Sequence, residues 1–283
     1  MTIVQGVALF IAAILAGALN SVAGGGSFIS FPTLLFTGVP SIAANATNTV
    51  ALWPGSLASI PPYRKDLTHE RREVIIFSIV SVLGGVLGAV ILLRTPQSLF
   101  SAMIPWLLLI ATLIFAFGNN AAQWLRQQRA QAQGAAEGAS AAATGETTDE
   151  AAGAEGSITN ISRDALIVVL IIQFVISLYG GFFGGGIGIM MLAGFALLGM
   201  RDIHAMNALK VVLASIINGV AIVAFAIAGA IYWPQALLMV VGSVIGGYGG
   251  AALAHQVPPK YVRWFAIAVG LIISAYFFIK QGV

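Results

Sequence analysis

Cysteine is absent from the 283 residues. That excludes a disulfide framework, a thiolate metal site and a thiol nucleophile. Charge is nearly absent too, at 8% Asp, Glu, Lys and Arg, where a soluble domain carries about 25%. Such a chain cannot cover a water-facing surface with polar groups. The net charge of +3 rests on few groups and forms no basic stripe of the kind a nucleic acid needs. No Asp or Glu lies deep inside an apolar segment, which argues against a carboxylate proton relay. His69, His204 and His255 fall at loops or segment ends, and no metal-ligand spacing or nucleophile–base pair occurs. The pattern calls for no enzyme, metal or cofactor. Residues 1–6 contain no Lys or Arg, so the basic start of a signal peptide is missing. The first apolar segment is accordingly read as retained.

Apolar sequence is what the chain has in abundance, at 59% hydrophobic residues. The fold class expected is an all-α, polytopic integral membrane bundle with the lipid bilayer as its partner. Apolar segments cover residues 4–22, 28–36, 42–60, 74–93 and 99–117, then 165–179, 187–198, 203–231, 236–253 and 262–279. Residues 119–162 are rich in Ala, Gly, Gln, Glu and Thr and cannot bury enough surface to fold alone. The expected division is a first transmembrane repeat at residues 1–118, a flexible cytoplasmic linker at 119–163 and a second repeat at 164–283. Residues 124–133 are placed as a possible extension of the preceding helix.

The two series are copies. Residues 81–89 (SVLGGVLGA) recur at 243–251 (SVIGGYGGA), 162 positions on, and the same offset pairs Asn45 with Asn207 and Pro96 with Pro258. The pairs Gly84/Gly88 and Gly246/Gly250 are spaced as helix-packing surfaces. Lys and Arg placement gives orientation: Arg64, Lys65, Arg71 and Arg72 mark a cytoplasmic loop, whereas its mate at 232–235 is uncharged. Lys260 and Arg263 mark the next loop as internal. This favours inverted halves, each with an odd number of crossings. Parallel halves of four spans each are the rival.

Segments 28–36 and 187–198 are too short to span, since a crossing needs about 20 apolar residues. Each follows a glycine tract, Gly24, Gly25, Gly26 in one half and Gly184, Gly185, Gly186 in the other. Consecutive glycines weaken a helix by about 1 kcal/mol each relative to alanine. Broken helices at matched positions point to a binding site between halves. Their freed N–H groups suit an anion, although tight packing alone also explains glycine. Neither tract is a phosphate loop, as no Gly-Lys-Ser or Gly-Lys-Thr follows.

Polar pairs come next. Asn45 and Asn48 share a helix face at i,i+3, as do their mates Asn207 and Lys210, and the stripes continue to Ser56 and Asn218. Such groups bind a ligand or join helices. Lys210 is the only charge well inside an apolar segment; nine residues from Arg201 place it about 14 Å deep. A central Lys costs about 2.5–3.5 kcal/mol on insertion scales. An anion, Asp202, backbone carbonyls or snorkelling are the ways to meet that cost.

The glycine break followed by Pro32, Thr33, Leu34 and Leu35, the Gly38 turn and residues 44–48 (ANATN) resemble the TauE/SafE sulfite exporter family, also called the toluene sulfonate uptake permease family. Residues 180–188 (GGFFGGGIG) with Asn207 and Lys210 are similar to its second repeat. The resemblance spans all but the linker. It implies a multi-pass plasma-membrane permease for small anions, chiefly sulfite, sulfonates and related sulfur oxyanions. The substrate site it implies draws on Gly24, Gly25, Gly26, Asn45, Asn48, Gly184, Gly185, Gly186, Asn207 and Lys210. An anion channel and a non-transporting accessory subunit remain the alternatives.

Overall fold

A computed structural model describes residues 1–22, 25–58, 71–144, 163–197, 200, 203–253 and 259–281. Among them are ten α-helices and no strand: α1 (Ile3–Val22), α2 (Ser27–Phe36), α3 (Ser41–Ala58), α4 (Arg71–Arg94), α5 (Gln97–Thr144), α6 (Arg163–Phe182), α7 (Ile187–Leu197), α8 (Ile203–Ile227), α9 (Trp233–Leu253) and α10 (Pro259–Gln281). Five helices are long and apolar enough to cross a membrane, over Ile3–Asn20, Val74–Arg94, Gln97–Gly118, Ala205–Ile227 and Trp264–Gln281. Large apolar side chains such as Ile3, Ile75, Trp106 and Ile272 are exposed on their outer faces, as a lipid-facing surface requires.

The two short segments form the short helices α2 and α7, so a span was rightly not assigned to them. Two expectations need adjustment. The interval 119–163 opens as helix, because α5 continues to Thr144; Ala, Gln, Arg and Glu rank among the strongest helix formers, and their polarity does not prevent a helix from running on. Arg71 and Arg72 open α4 and do not belong to a loop. Arg64, Lys65, Pro258, residues 145–162 and Asp202 lie outside the described residues.

Helix partners are exchanged between the halves. α1 packs most extensively on α9, and its mate α6 on α4. Glycine permits both contacts. A Cβ on Gly246 would overlap the Ile14 carbonyl, and one on Gly17 the Ser243 carbonyl. Across the other pair, a Cβ on Gly88 would overlap the Leu178 carbonyl and one on Gly181 the Gly85 carbonyl. The repeated glycine motif is therefore packing surface, as its spacing predicts. Ser81, Gln173 and Ser177 add buried hydrogen bonds to α4–α6, with Gln173 Nε2 2.9 Å from Ser81 Oγ.

Two corresponding helix pairs meet directly. α5 and α10 run antiparallel: Gln281 Nε2 donates to the Ser101 carbonyl (2.8 Å), Ser274 Oγ to the Pro105 carbonyl (2.9 Å), and Gly270 lies against Thr112. The first of these satisfies an acceptor that Pro105 strands, since Pro has no N–H to give the carbonyl four residues earlier. α3 and α8 touch through Trp53 Nε1, which donates to the Ser215 carbonyl at 2.9 Å. These two residues are 162 positions apart, so each contacts its own repeat mate. In the first half α1 and α2 are antiparallel, with Gln5 Nε2 on the Thr37 carbonyl (3.2 Å). A turn at Gly38 (φ 86°) then folds α3 back along α2.

Candidate functional site

The breaks sit where the short helices begin. α6 closes with the N–H groups of Phe183 and Gly184 both donating to the Tyr179 carbonyl, at 2.8 and 3.2 Å. Gly184 (φ 82°) and Gly186 (φ 78°) adopt left-handed backbone, which an L side chain rarely enters. The ladder of α7 starts at the Gly186 carbonyl, which accepts from Ile189 N at 3.1 Å and Met190 N at 3.3 Å. The N–H groups of Ile187 and Gly188 precede that ladder and have no intrahelical acceptor. Gly25 (φ 94°) makes the corresponding turn before α2.

Lys210 lies across the first turn of α7. A Cβ on Gly188 would stand 3.3 Å from Lys210 Cδ and 4.0 Å from Cε. Lys210 Nζ donates to Asn207 Oδ1 at 2.8 Å, one turn back on α8. Two turns on, Asn218 Oδ1 is 3.9 Å from where a Cβ on Gly184 would be. One face of α8 thus lines the α6–α7 break with the Lys210 stem and the Asn218 amide, the Lys210 ammonium being held by Asn207. Lys210 is half-buried, and among the described residues no carboxylate pairs with it. Positive potential from the ammonium adds to that of the helix N-terminus.

The first half is built differently. Asn48 is buried; its Nδ2 donates to Ser27 Oγ at 3.1 Å and its Oδ1 accepts from Ser30 Oγ. Ser30 Oγ also lies 3.1 Å from the Gly26 carbonyl. Asn45 leaves this cluster and crosses to the other half, where its Nδ2 donates to the Phe182 carbonyl at 3.1 Å. Phe182 ends α6, so Asn45 satisfies one of the acceptors that a helix C-terminus leaves open.

Of the ten residues expected at the site, Gly184, Gly186, Asn207 and Lys210 gather at the second break, and Gly26 and Asn48 at the first. Gly25 packs on Phe28 and Phe115, Gly26 on the Ala16 carbonyl, and Gly185 on Ala111 and Phe183. These three are tight packing positions as well as turn residues. Gly24 lies outside the described residues. Sequence reasoning passed over Gly188, which makes room for the Lys210 stem, and Ser27 and Ser30. The serines had a signal: hydroxyls at i,i+3 directly after a glycine tract. It also passed over Trp53 and Ser215, which the 162-residue offset pairs.

Ten helices, five of them long and apolar enough to cross a membrane, define among the described residues a polytopic helical membrane protein. The family model of the sulfite exporter TauE/SafE matches residues 9–277, and the chain belongs to that family. It is 26% identical over 275 residues to "Probable membrane transporter protein" of Haemophilus influenzae, covering 97% of this chain and 94% of the relative. It is 25% identical over 267 residues to "Probable membrane transporter protein ORF9" of a Sinorhizobium species (94% and 89%). Against "Probable membrane transporter protein YfcA" of Escherichia coli K12 it is 23% identical over 273 residues (94% and 87%). No solved structure matches the chain significantly.

Proposed function

We propose that the chain is a secondary transporter of small anions, with sulfur oxyanions such as sulfite or organosulfonates as the substrate class. The observation that carries this reading is the Lys210 side chain lying against Gly188 in the first turn of α7, two residues after Gly186. An ammonium and unpaired helix N–H groups on one spot offer several converging donors. An oxyanion with three or four oxygens uses more of them than a halide does. In this reading Asn207 holds the ammonium, Asn218 and the glycine N–H groups add direction, and Asn48 with Gly24–Gly26 faces the anion from the other half.

Alternating access follows from two inverted halves that rock about the site. The antiparallel contact of α5 with its mate α10 supports inversion. The basic residues Arg126, Arg129, Lys260 and Arg263 support a plasma-membrane orientation with residues 119–163 on the cytoplasmic side.

The test is counterflow. Purified protein is reconstituted in liposomes loaded with unlabelled sulfite, and entry of radiolabelled sulfite from outside is followed. A carrier gives a transient overshoot that saturates with external sulfite. Linear flux without overshoot is a channel, and no flux for sulfite or any short sulfonate overturns the reading.

A further inference from the structure

The buried apolar side chains do not divide where the sequence divides. Among the described residues they form two cores. The smaller is built by α4, α6, α7 and α8, with Met200 from between the last two. In it Phe77 of α4 meets Phe195 of α7 edge-on at 6.0 Å, beside Ile176, Met191 and Leu213. Three of these helices come from the second half of the sequence and one, α4, from the first. The larger core holds α1, α2, α3 and α9, which is the reciprocal exchange, together with α5 and α10. Packing agrees: α4 lies chiefly on α6 and α8, and α9 chiefly on α1 and α3.

The seam between the cores runs through the second break. Phe183 belongs to the larger core, edge-on to Phe31 of α2 at 5.6 Å, and Ile187 belongs to the smaller. Gly184–Gly186 therefore cross from one core to the other. Hydrogen bonds from Asn45 and Trp53 of α3 cross the same seam, to the Phe182 and Ser215 carbonyls. The two ends of the seam differ. Ala89 and Leu92 of α4 and Ala221 and Phe225 of α8 are part of the larger core, whereas Phe77 and Met206, nearer the starts of the same helices, are part of the smaller. The four-helix body is thus tied to the rest at one end and has its own core at the other. A close-packed core moves as a unit, and a unit tied at one end rotates about that end.

We propose that α4, α6, α7 and α8 move as one body about the Leu92–Phe225 end, along the seam at Gly184–Gly186, and that the two halves of the sequence are not the moving parts. The inference rests on the alternating-access reading and names the helices that carry it out. Lys210 and Asn218 ride on the body, while Asn45 and Phe31 stay with the larger core. Each excursion changes what faces the second break.

The test uses paired cysteines, since the chain has none of its own. Ser81→Cys with Ser177→Cys joins α4 to α6 inside the body, where the two Oγ atoms are 3.3 Å apart. Gly118→Cys with Ile189→Cys joins α5 to α7 across the seam, where a Cβ on Gly118 would lie 3.6 Å from that of Ile189, a separation a disulfide spans. Both pairs link one half of the sequence to the other. Sulfite counterflow is measured on each full-length variant in liposomes when reduced, oxidised and reduced again, with maleimide labelling to count free thiols. Both disulfides should form. The α4–α6 bond should leave counterflow at its reduced level, and the α5–α7 bond should abolish it until reductant is added. Loss with both bonds means that the halves of the sequence move, and counterflow kept with both means that the seam does not; either overturns the inference. Spin labels repeat the test without a packed pair: on adding sulfite the distance from Ile75→Cys to Ile167→Cys, both in the body, should hold, and that from Ile75→Cys to Trp264→Cys should change. The opposite pattern, or no change in either distance, overturns the inference. No counterflow in wild type overturns the transporter reading itself, and is told apart from the other results by that control.

Discussion

The second break is cationic and loosely partnered, whereas the first is neutral and internally hydrogen-bonded. Both share a glycine tract, a short helix and an i,i+3 polar pair. Their divergence in charge lies at Asn48 and Lys210, and Ser27 and Ser30 stand where the second break has Ile187 and Met190, which teaches how two similar breaks come to differ. The scaffold positions are kept, as the glycine-mediated contacts α1–α9 and α4–α6 show.

The sharpest break of the comparison is to neutralise the second half. Lys210→Ala should lower anion transport by roughly a hundredfold, since a hydrogen bond to a charged group is worth about 1.5–3 kcal/mol. The same variant should unfold at a higher temperature than wild type, because a Lys at membrane depth is costly. Transport assay and thermal unfolding therefore move in opposite directions. A variant that loses both points to a structural Lys210.

Next in size are the scaffold contacts, where the halves should behave alike. Gly88→Leu and Gly246→Leu each drive a side chain into a backbone carbonyl of the partner helix. Each should destabilise by about 2–3 kcal/mol, measured as loss of folded protein in detergent. A large difference between them would show that only one of the exchanged contacts is structurally important.

Gly188→Ala is subtler and belongs to the second half alone. Its Cβ would press on Lys210 Cδ at 3.3 Å, displacing the ammonium by a few tenths of an ångström. The expected result is several-fold weaker anion affinity, about 1 kcal/mol, with unfolding unchanged. The smallest effect concerns Tyr179, whose buried hydroxyl has no partner among the described residues. Tyr179→Phe should change stability by no more than about 0.5 kcal/mol, and a loss of transport would assign that hydroxyl to the substrate.

Much of this was legible in the sequence for a physical reason. Short apolar segments after glycine cannot span a bilayer, so α2 and α7 announce themselves. The 162-residue offset also separates Trp53 from Ser215, which meet in a hydrogen bond between α3 and α8. Lys210 stands out because little else in an apolar helix explains a charge. Partner choice was not legible. Glycine spacing says that helices approach closely, but not that α1 would choose α9 in the other half. Asn45 reads as a ligand beside Asn48, yet its amide reaches the carbonyl that the end of α6 leaves open, which comes within reach only once the halves are docked. Residues 124–133 read as a possible extension of the preceding helix, but its run on to Thr144 does not, because the polarity beyond them masks good helix propensity.

The central claim is that the second break holds the anion through Lys210. The most direct measurement is calorimetric titration of sulfite into purified wild type and into Lys210→Gln, in the same detergent and salt. The account predicts saturable binding by wild type and at least tenfold weaker binding by Lys210→Gln, a loss of about 1.4 kcal/mol. Equal affinities in the two proteins would contradict it.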